Sequence, residues 1–299
     1  MKDPKGQGSL STWGLKIYYI IDNSSLAAFD IMLDEIDKKR LFASLKGQDR
    51  IFCLTNELFI EMAGMFESPS AEFLPKRAEL LMRFLVKDFH FLKRCQDIIR
   101  NEIQGGKNIF VDIAKVENAI LHLNAMTKGI SYMPENLKYL IRNVNKEKEK
   151  QVVSIKKITE NFRKKDTPDI EKENMYKYNF SIDICLSMAK ELVKSQFFNV
   201  GAESESNKKF VEIYKNLFEY PYLKTLITVI TEALHRYNFE DEYYGVGKGD
   251  KYDLMQLVYM VDVDWIISEE KGKFRYIFEK LFNLPKRFMN VEEFMAEVL

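Results

Sequence analysis

The chain is poor in residues and patterns that mark several classes of protein. Its 299 residues include only three cysteines and three histidines, and its formal net charge is zero. The widely spaced Cys53, Cys95 and Cys185 show neither zinc-ligand spacing nor the even count of a disulfide framework, so we expect reduced core residues. No histidine lies beside a serine or cysteine in a nucleophile motif, which disfavours catalysis by a nucleophilic side chain.

Long apolar runs are also lacking. No run approaches the roughly 20 residues needed to cross a bilayer, and the start lacks the apolar segment of a signal peptide. The sequence therefore predicts a cytoplasmic protein without a membrane partner. Apolar residues make up 46% of the chain, which is enough for a large core and excludes disorder throughout. Residues 1–14, rich in Lys, Pro, Gly and Ser, are predicted to form a flexible lead-in.

The two signs of charge are unevenly distributed. Residues 136–165 contain ten Lys or Arg against three Glu, whereas residues 239–270 contain nine acids against two Lys. The basic stretch can attract phosphate groups and the acidic stretch can attract cations. The candidate nucleic-acid contacts are Lys156, Lys157, Arg163, Lys164 and Lys165. A solvated helix face with intrahelical ion pairs explains the same residues equally well.

Short β-rich runs alternate with helical periodicity at both ends of the chain. The predicted strands are 16–21, 50–54, 265–267 and 286–289. The predicted helices of the two ends are 26–40, one capped by Thr55 or Asn56, 253–260, 274–282, and 291–299 capped by Asn290. This alternation is typical of a parallel α/β sheet.

The middle of the chain shows helical periodicity alone, from about 70 to 239. The simplest interpretation is an α/β fold, a parallel sheet sandwiched by helices and built from both chain ends. Residues 15–66 and 240–299 form this domain, and 67–239 form an all-helical insertion. The alternative is an entirely helical interaction protein in which the terminal strands are over-predicted.

Acidic residues follow the predicted strands, at the edge where sites of parallel sheets form. These residues are Asp22, Glu57, Glu61, Asp250, Asp253, Glu269 and Glu270. Clustered carboxylates raise one another's pKa unless a cation compensates them, so such a cluster indicates a bound metal ion. Ligands that are all oxygens favour Mg²⁺ or Mn²⁺ over zinc. A single acid at a helix N-terminus is weaker evidence, since the helix dipole alone favours it.

The segments that contain these acids resemble the PIN-domain nucleases. The similarity lies in YYIIDNSSL, in TNELFIEM with its Glu six residues after the Thr, in DLMQLVYMVDVDWIISEEKGKF and in RFMNVEEFMAEVL. All four segments fall within 15–66 and 240–299, and the long middle segment has no counterpart. The resemblance implies a PIN-like fold for the domain that the two chain ends form.

The resemblance also assigns roles to individual residues. It implies that Asp22 is the central metal ligand, with Glu61, Asp253 and Glu270 as the other catalytic acids and metal ligands. At Glu270 the family more often has Asp, which puts that position in question. Ser24 and Ser268 are expected to hydrogen-bond the ligands or phosphate. Substitute ligands, should the register differ, are Glu57, Asp250, Glu269, Asp262 and Asp264.

The function that the resemblance implies is metal-dependent hydrolysis of phosphodiester bonds, with Mg²⁺ or Mn²⁺ as cofactor and RNA favoured over DNA as substrate. The alternative is a PIN-like scaffold without activity, whose helical insertion binds a protein or RNA partner and in which Glu270 marks a lost site. PIN-like proteins commonly pair, so a homodimer is a further expectation.

Overall fold

A five-stranded sheet with helices on both faces forms the centre of the protein. The computed structural model describes residues 16–46, 49–85, 90–163, 169–196, 202–239, 250–270, 273–282 and 286–299. The strands are β1 (Ile17–Ile21), β2 (Arg50–Leu54), β3 (His90–Phe91), β4 (Trp265–Ile267) and β5 (Arg287–Met289). The helices are α1 (Asn23–Met32), α2 (Glu35–Lys46), α3 (Asn56–Gly64), α4 (Leu74–Phe84), α5 (Cys95–Ile103), α6 (Ile113–Lys128), α7 (Glu135–Arg163), α8 (Asp169–Gln196), α9 (Ala202–Lys215), α10 (Pro221–Phe239), α11 (Asp250–Tyr259), α12 (Lys273–Leu281) and α13 (Val291–Val298).

The strands lie in the order β3-β2-β1-β4-β5, and every neighbouring pair is parallel. Tyr19 of β1 lies opposite Phe52 on one side and Trp265 on the other. Strands from the start of the chain therefore pair with strands from near residue 265. This arrangement confirms the predicted α/β class with a parallel sheet built from both ends, and the paired strands make the entirely helical alternative wrong.

Successive side chains of a strand point to opposite faces of the sheet, and each face is covered by a separate hydrophobic core. Tyr18 and Ile20 enter a first core, which the described parts of α5, α8, α10, α11 and α12 cover. Tyr19 and Ile21 enter a second core, covered by α1 to α4, α6, α7 and α13. Because β1 is buried on both faces, its sequence is a continuous apolar run rather than an alternating one. Burial of each such side chain contributes about 1.5–3 kcal/mol to the free energy of unfolding.

Polar caps begin the helices that follow the strands. The Thr55 hydroxyl accepts a hydrogen bond from the Leu58 amide at 3.1 Å and starts α3. Asn290 starts α13 with a capping box, in which its side chain and that of Glu293 each accept from the other's backbone N–H. Both caps are as predicted.

The helix predicted over 26–40 is two helices. Its first part begins earlier, at Asn23, and ends at Met32. Asp34 then accepts hydrogen bonds from the Ile36 and Asp37 amides, each at 2.8 Å. The aspartate competes with helical carbonyls for these N–H groups, so the chain breaks here and α2 starts anew.

The prediction that 67–239 is all-helical is wrong at β3. This strand pairs with β2, with His90 opposite Cys53. Two residues are too few to show a strand periodicity in the sequence, which explains why the pattern missed it. Helices of the same segment also pack on the sheet, since Ile99 lies in the first core and Leu81 in the second.

Three further predictions concern the cysteines, membrane-spanning segments and the first residues of the chain. Cys53, Cys95 and Cys185 are buried and form no disulfide among the described residues. In the described parts of the chain, no helix combines the length and apolar character that a bilayer crossing requires. The lead-in predicted for 1–14 lies outside the described residues.

Candidate functional site

The carboxyl ends of β1 and β4 meet at the point where the strand order changes direction. From β1 the chain continues to β2 on one side, and β4 pairs with β1 on the other. In open parallel sheets this switch point forms a crevice that binds ligands. Asp22 follows β1 and Ser268 follows β4, and the Asp22 amide donates to the Ile267 carbonyl at 3.1 Å. Residues from the two ends of the chain thus converge here, as predicted.

The Asp22 side chain accepts hydrogen bonds from three donors, and only 2% of the residue is exposed. As the N-cap of α1, its Oδ1 accepts from the Ser25 amide at 2.7 Å. The Ser24 hydroxyl lies 2.8 Å from both carboxylate oxygens. The Ser268 hydroxyl donates to Oδ2. These contacts fix the orientation of the carboxylate in the crevice.

The two serines bond in the same way to the loop after β4. The Ser24 hydroxyl accepts from the Glu269 amide at 3.0 Å, and the Ser268 hydroxyl accepts from the Glu270 amide at 3.0 Å. Each hydroxyl therefore joins Asp22 to a backbone N–H. Ser24 and Ser268 thus contact Asp22, the predicted metal ligand, through these hydrogen bonds.

Burial raises the pKa of Asp22, and the hydrogen bonds from Ser268, Ser25 and Ser24 oppose this rise. Within the described residues no Lys or Arg forms a salt bridge with Asp22. Among the described residues, only hydrogen bonds, and no positive charge, therefore compensate the desolvation of the carboxylate. A bound divalent cation would supply that charge and favour the ionised form.

Glu61 is linked by a hydrogen bond to Asn23, the residue after Asp22. The Asn23 side-chain amide donates to Glu61 Oε1 at 3.1 Å, and Arg77 donates to the Asn23 side-chain oxygen at 3.1 Å. Asn23 directly follows Asp22 in the chain, so α3 and α4 both contact the start of α1. Asn23 and Arg77 were not predicted as site residues, and the only signal in the sequence was the position of Asn23 next to Asp22.

Glu57 has a different environment, although it lies one turn from Glu61 on α3. It is 6% exposed, and its carboxylate accepts a hydrogen bond from the Tyr259 hydroxyl. That hydroxyl also lies 2.9 Å from the Lys93 carbonyl oxygen. Burial raises the pKa of Glu57, and the bond from Tyr259 opposes the rise. Tyr259 was also missed, because it lies within an apolar helical pattern.

The acids after β4 differ in exposure. Glu269 is half-buried, and its Oε1 accepts from the Val291 amide at 2.7 Å, which joins the loop to the start of α13. Glu270 is exposed. On α11, Asp253 is half-buried, while Asp250 begins the helix and its side chain lies outside the described part.

The prediction that Asp264 can substitute as a ligand is wrong. Asp264 precedes β4, its Oδ2 accepts from the Tyr18 amide at 3.0 Å, and its Oδ1 lies 3.7 Å from Lys286 Nζ. From Tyr18 to Asp22 is roughly 13 Å at about 3.3 Å per residue. Asp264 therefore lies at the amino end of the sheet, away from Asp22. The exposed Asp262, whose Oδ2 accepts from the Tyr222 hydroxyl at 2.7 Å, lies in the same turn before β4.

The side chains around Asp22 are oxygen donors of the kind that Mg²⁺ and Mn²⁺ prefer. This chemistry fits a hard divalent cation at Asp22. Among the described side chains, no three His, Cys, Asp or Glu residues are grouped as a metal site requires. Ligation by Asp22, Glu61, Asp253 and Glu270 together stays a prediction.

The structure does not describe the side chains of the predicted nucleic-acid contacts. Lys156, Lys157 and Arg163 belong to α7, and their side chains are outside the described part. Lys164 and Lys165 lie outside the described residues.

Comparisons with protein-family models, with curated proteins and with solved structures find no match to this chain. The fold and site define an α/β protein whose parallel sheet has a buried carboxylate at its switch point. The resemblance to PIN-domain nucleases rests on the sequence segments quoted above.

Proposed function

We propose that the protein is a metal-dependent nuclease that hydrolyses phosphodiester bonds, with RNA as its substrate. The supporting observation is the buried carboxylate of Asp22, held by Ser24 and Ser268 at the switch point of the sheet. A carboxylate that is desolvated, fixed in orientation and without a salt bridge among the described residues is suited to bind a cation.

In this proposal Asp22 is the central ligand, and Glu61, Asp253 and Glu270 supply further oxygens. When bound, Mg²⁺ or Mn²⁺ supplies charge neutralisation at a phosphate oxygen and a water of lowered pKa. The chain's own contribution is to hold Asp22 in one rotamer, through the Ser24 and Ser268 hydroxyls, and to keep bulk water from it. The Asn23 side-chain amide donates to Glu61, which links Glu61 to the residue that follows Asp22.

The test is cleavage of a fluorescent single-stranded RNA, with a DNA of the same sequence in parallel. We expect cleavage with Mn²⁺ or Mg²⁺ and none with EDTA. Asp22→Asn should abolish cleavage, while the fold is kept because Asn caps a helix as well as Asp does. Thermal unfolding measures whether the fold is retained.

The matched control is Asp34→Asn. Asp34 also caps a helix, α2, but it is exposed and lies away from the β1 and β4 ends. This variant should cleave at the wild-type rate. Equal activity of wild type and Asp22→Asn would refute the proposed site, and faster cleavage of the DNA would refute the proposed substrate.

A second candidate function is a scaffold without activity. It is favoured by the saturation of Asp22 with donors from Ser24, Ser25 and Ser268, and by the exposure of Glu270. In a scaffold these hydrogen bonds serve to join β1 to β4. Absence of metal-stimulated cleavage, together with RNA or protein binding that Asp22→Asn leaves unchanged, would support this function.

A further inference from the structure

A cleft of about 670 Å³ lies between α3, α5, α6 and α7. Asn56, which follows β2, and Leu92, which follows β3, both line it. The cleft therefore lies beyond the carboxyl ends of these two strands, where parallel sheets bind ligands. Its volume is within the range of small-molecule sites. It is distinct from the site at Asp22, because none of its lining residues bonds to Asp22 or its serines.

The charged groups around the cleft are mostly positive. They are Lys93, Arg94, Arg100, Lys115 and Asp97. Arg100 lies 3.3 Å from Asp97, so these two charges largely cancel. The ammonium group of Lys93 donates to the Asn108 carbonyl at 3.0 Å, which is a neutral partner. Within the described residues neither Lys93 nor Lys115 forms a salt bridge. The cleft is therefore suited to an anion.

The floor of the cleft is apolar and aromatic. Phe59 is 8% exposed, and its ring centroid lies 6.0 Å from that of Phe91 and 6.1 Å from that of His122. Leu137 and Ile141 of α7 extend this floor. Burial lowers the pKa of His122, so its imidazole is neutral at pH 7. Flat faces of this kind stack on nucleobases whatever their sequence.

Side-chain amides add polar groups to the lining of the cleft. Asn56, Asn101, Gln104 and Asn118 line the cleft, and each amide has both donors and an acceptor. Such groups match the edges of a nucleobase or the hydroxyls of a ribose. An inorganic anion would leave the apolar floor uncovered, and a purely apolar ligand would desolvate the cations without a partner.

We propose that this cleft binds a nucleoside phosphate, with its base on the Phe59–His122 floor and its phosphate at Lys93, Arg94 and Lys115. Binding needs no hydrolysis at Asp22, so it stands independently of the nuclease proposal. Asp22→Asn should therefore bind the nucleotide as the wild type does, even where it has lost cleavage.

The test is isothermal titration of the full chain with AMP and UMP. Adenosine, ribose 5-phosphate and inorganic phosphate serve as ligands that lack one part of the nucleotide. At least one nucleotide should bind about tenfold tighter than each of these three, because adenosine lacks the charged phosphate and the other two lack the base. Lys115→Glu should weaken nucleotide binding about tenfold or more, and His122→Ala should weaken it about fivefold through lost stacking.

The matched controls are Lys39→Glu, an exposed helical lysine on α2, and Leu121→Ala, an exposed neighbour of His122 on α6. Both should bind the nucleotides as the wild type does. Absence of binding at millimolar nucleotide would overturn the proposal. Equal affinity for inorganic phosphate would also overturn it, because the aromatic floor would then have no part in binding. The proposal would also be overturned if Lys115→Glu and Lys39→Glu weakened nucleotide binding equally.

Discussion

The hydroxyl of Ser268 donates a hydrogen bond to the carboxylate of Asp22, which lies 246 residues earlier in the chain. The same hydroxyl accepts from the Glu270 amide, while Ser24 makes the corresponding pair of bonds to Asp22 and the Glu269 amide. Asp22 and the loop after β4 are therefore one hydrogen-bonded unit. A change in either serine is expected to affect both.

Ser268→Ala is expected to lower the free energy of unfolding by about 1–3 kcal/mol. The buried Asp22 carboxylate loses a donor and the Glu270 amide loses an acceptor. Urea denaturation followed by circular dichroism measures the change. The control is Ser181→Ala, whose hydroxyl donates to the Lys177 carbonyl one turn earlier, with an expected change within about 0.5 kcal/mol. Equal effects of the two variants would contradict this role of Ser268.

Glu269→Ala separates a structural role from a catalytic one. Its carboxylate accepts from the Val291 amide at the start of α13. We expect a loss of about 1–2 kcal/mol in stability, in line with the loss of a helix cap. Cleavage per folded molecule should stay near the wild-type value. Glu292→Ala, an exposed change in the first turn of the same helix, is the control. A loss of cleavage by Glu269→Ala without a loss of stability would instead make Glu269 a ligand.

Tyr259→Phe is expected to destabilise the protein by roughly 1.5–3 kcal/mol, since Glu57 loses a donor in a buried position. The bond from Tyr259 lowers the pKa of Glu57, so its removal should raise that pKa further. The destabilisation should then be larger at pH 7.5, where Glu57 is ionised in the unfolded chain, than at pH 4. The exposed Tyr132→Phe is the control. A loss of stability that is independent of pH would count against a bond to the ionised carboxylate.

Glu102→Gln tests a carboxylate that caps α10 from outside that helix. Glu102 accepts from the Tyr222 amide at 2.9 Å and the Leu223 amide at 3.0 Å, and burial raises its pKa to about 7. The folded state then binds more protons than the unfolded state between pH 4.5 and about 7. Wild-type stability should therefore fall relative to Glu102→Gln as the pH rises through this window.

Urea denaturation of wild type and Glu102→Gln at pH 4.5, 5.5, 6.5 and 7.5 measures this difference. The exposed Glu117→Gln should follow the wild type at every pH. A constant difference between Glu102→Gln and wild type over the whole range would show that Glu102 does not titrate with a raised pKa.

Four of the five strands could be predicted from the sequence. β1, β2 and β4 are largely apolar runs that end in a polar residue, β5 is a short run just before the cap Asn290, and Thr55 and Asn290 start the helices that follow β2 and β5. The position of Asp22 directly after an apolar strand made it a candidate site residue, whereas its role as the central metal ligand came from the resemblance to PIN-domain nucleases and stays a prediction. The strands, the helix caps and the position of Asp22 each depend on a short stretch of neighbouring residues, so the sequence alone can predict them.

The remaining features depend on contacts between distant segments. β3 has two residues and is defined by its pairing with β2, so no pattern of its own exists. The bond from Tyr259 to Glu57 joins residues 202 positions apart, and nothing in either segment marks the other. Asp264 was misplaced for a related reason. An acid before a strand and an acid after it look alike in the sequence but lie at opposite edges of a parallel sheet.

The pairing of β1 with β4 also affects how the chain folds during synthesis. One side of β1 can pair with β2 early, but its other side has no partner until residues 265–267 emerge from the ribosome. A newly made chain therefore exposes an apolar strand edge while the segment between β2 and β4 is being synthesised, and such an edge is the kind of surface that chaperones bind and that promotes aggregation.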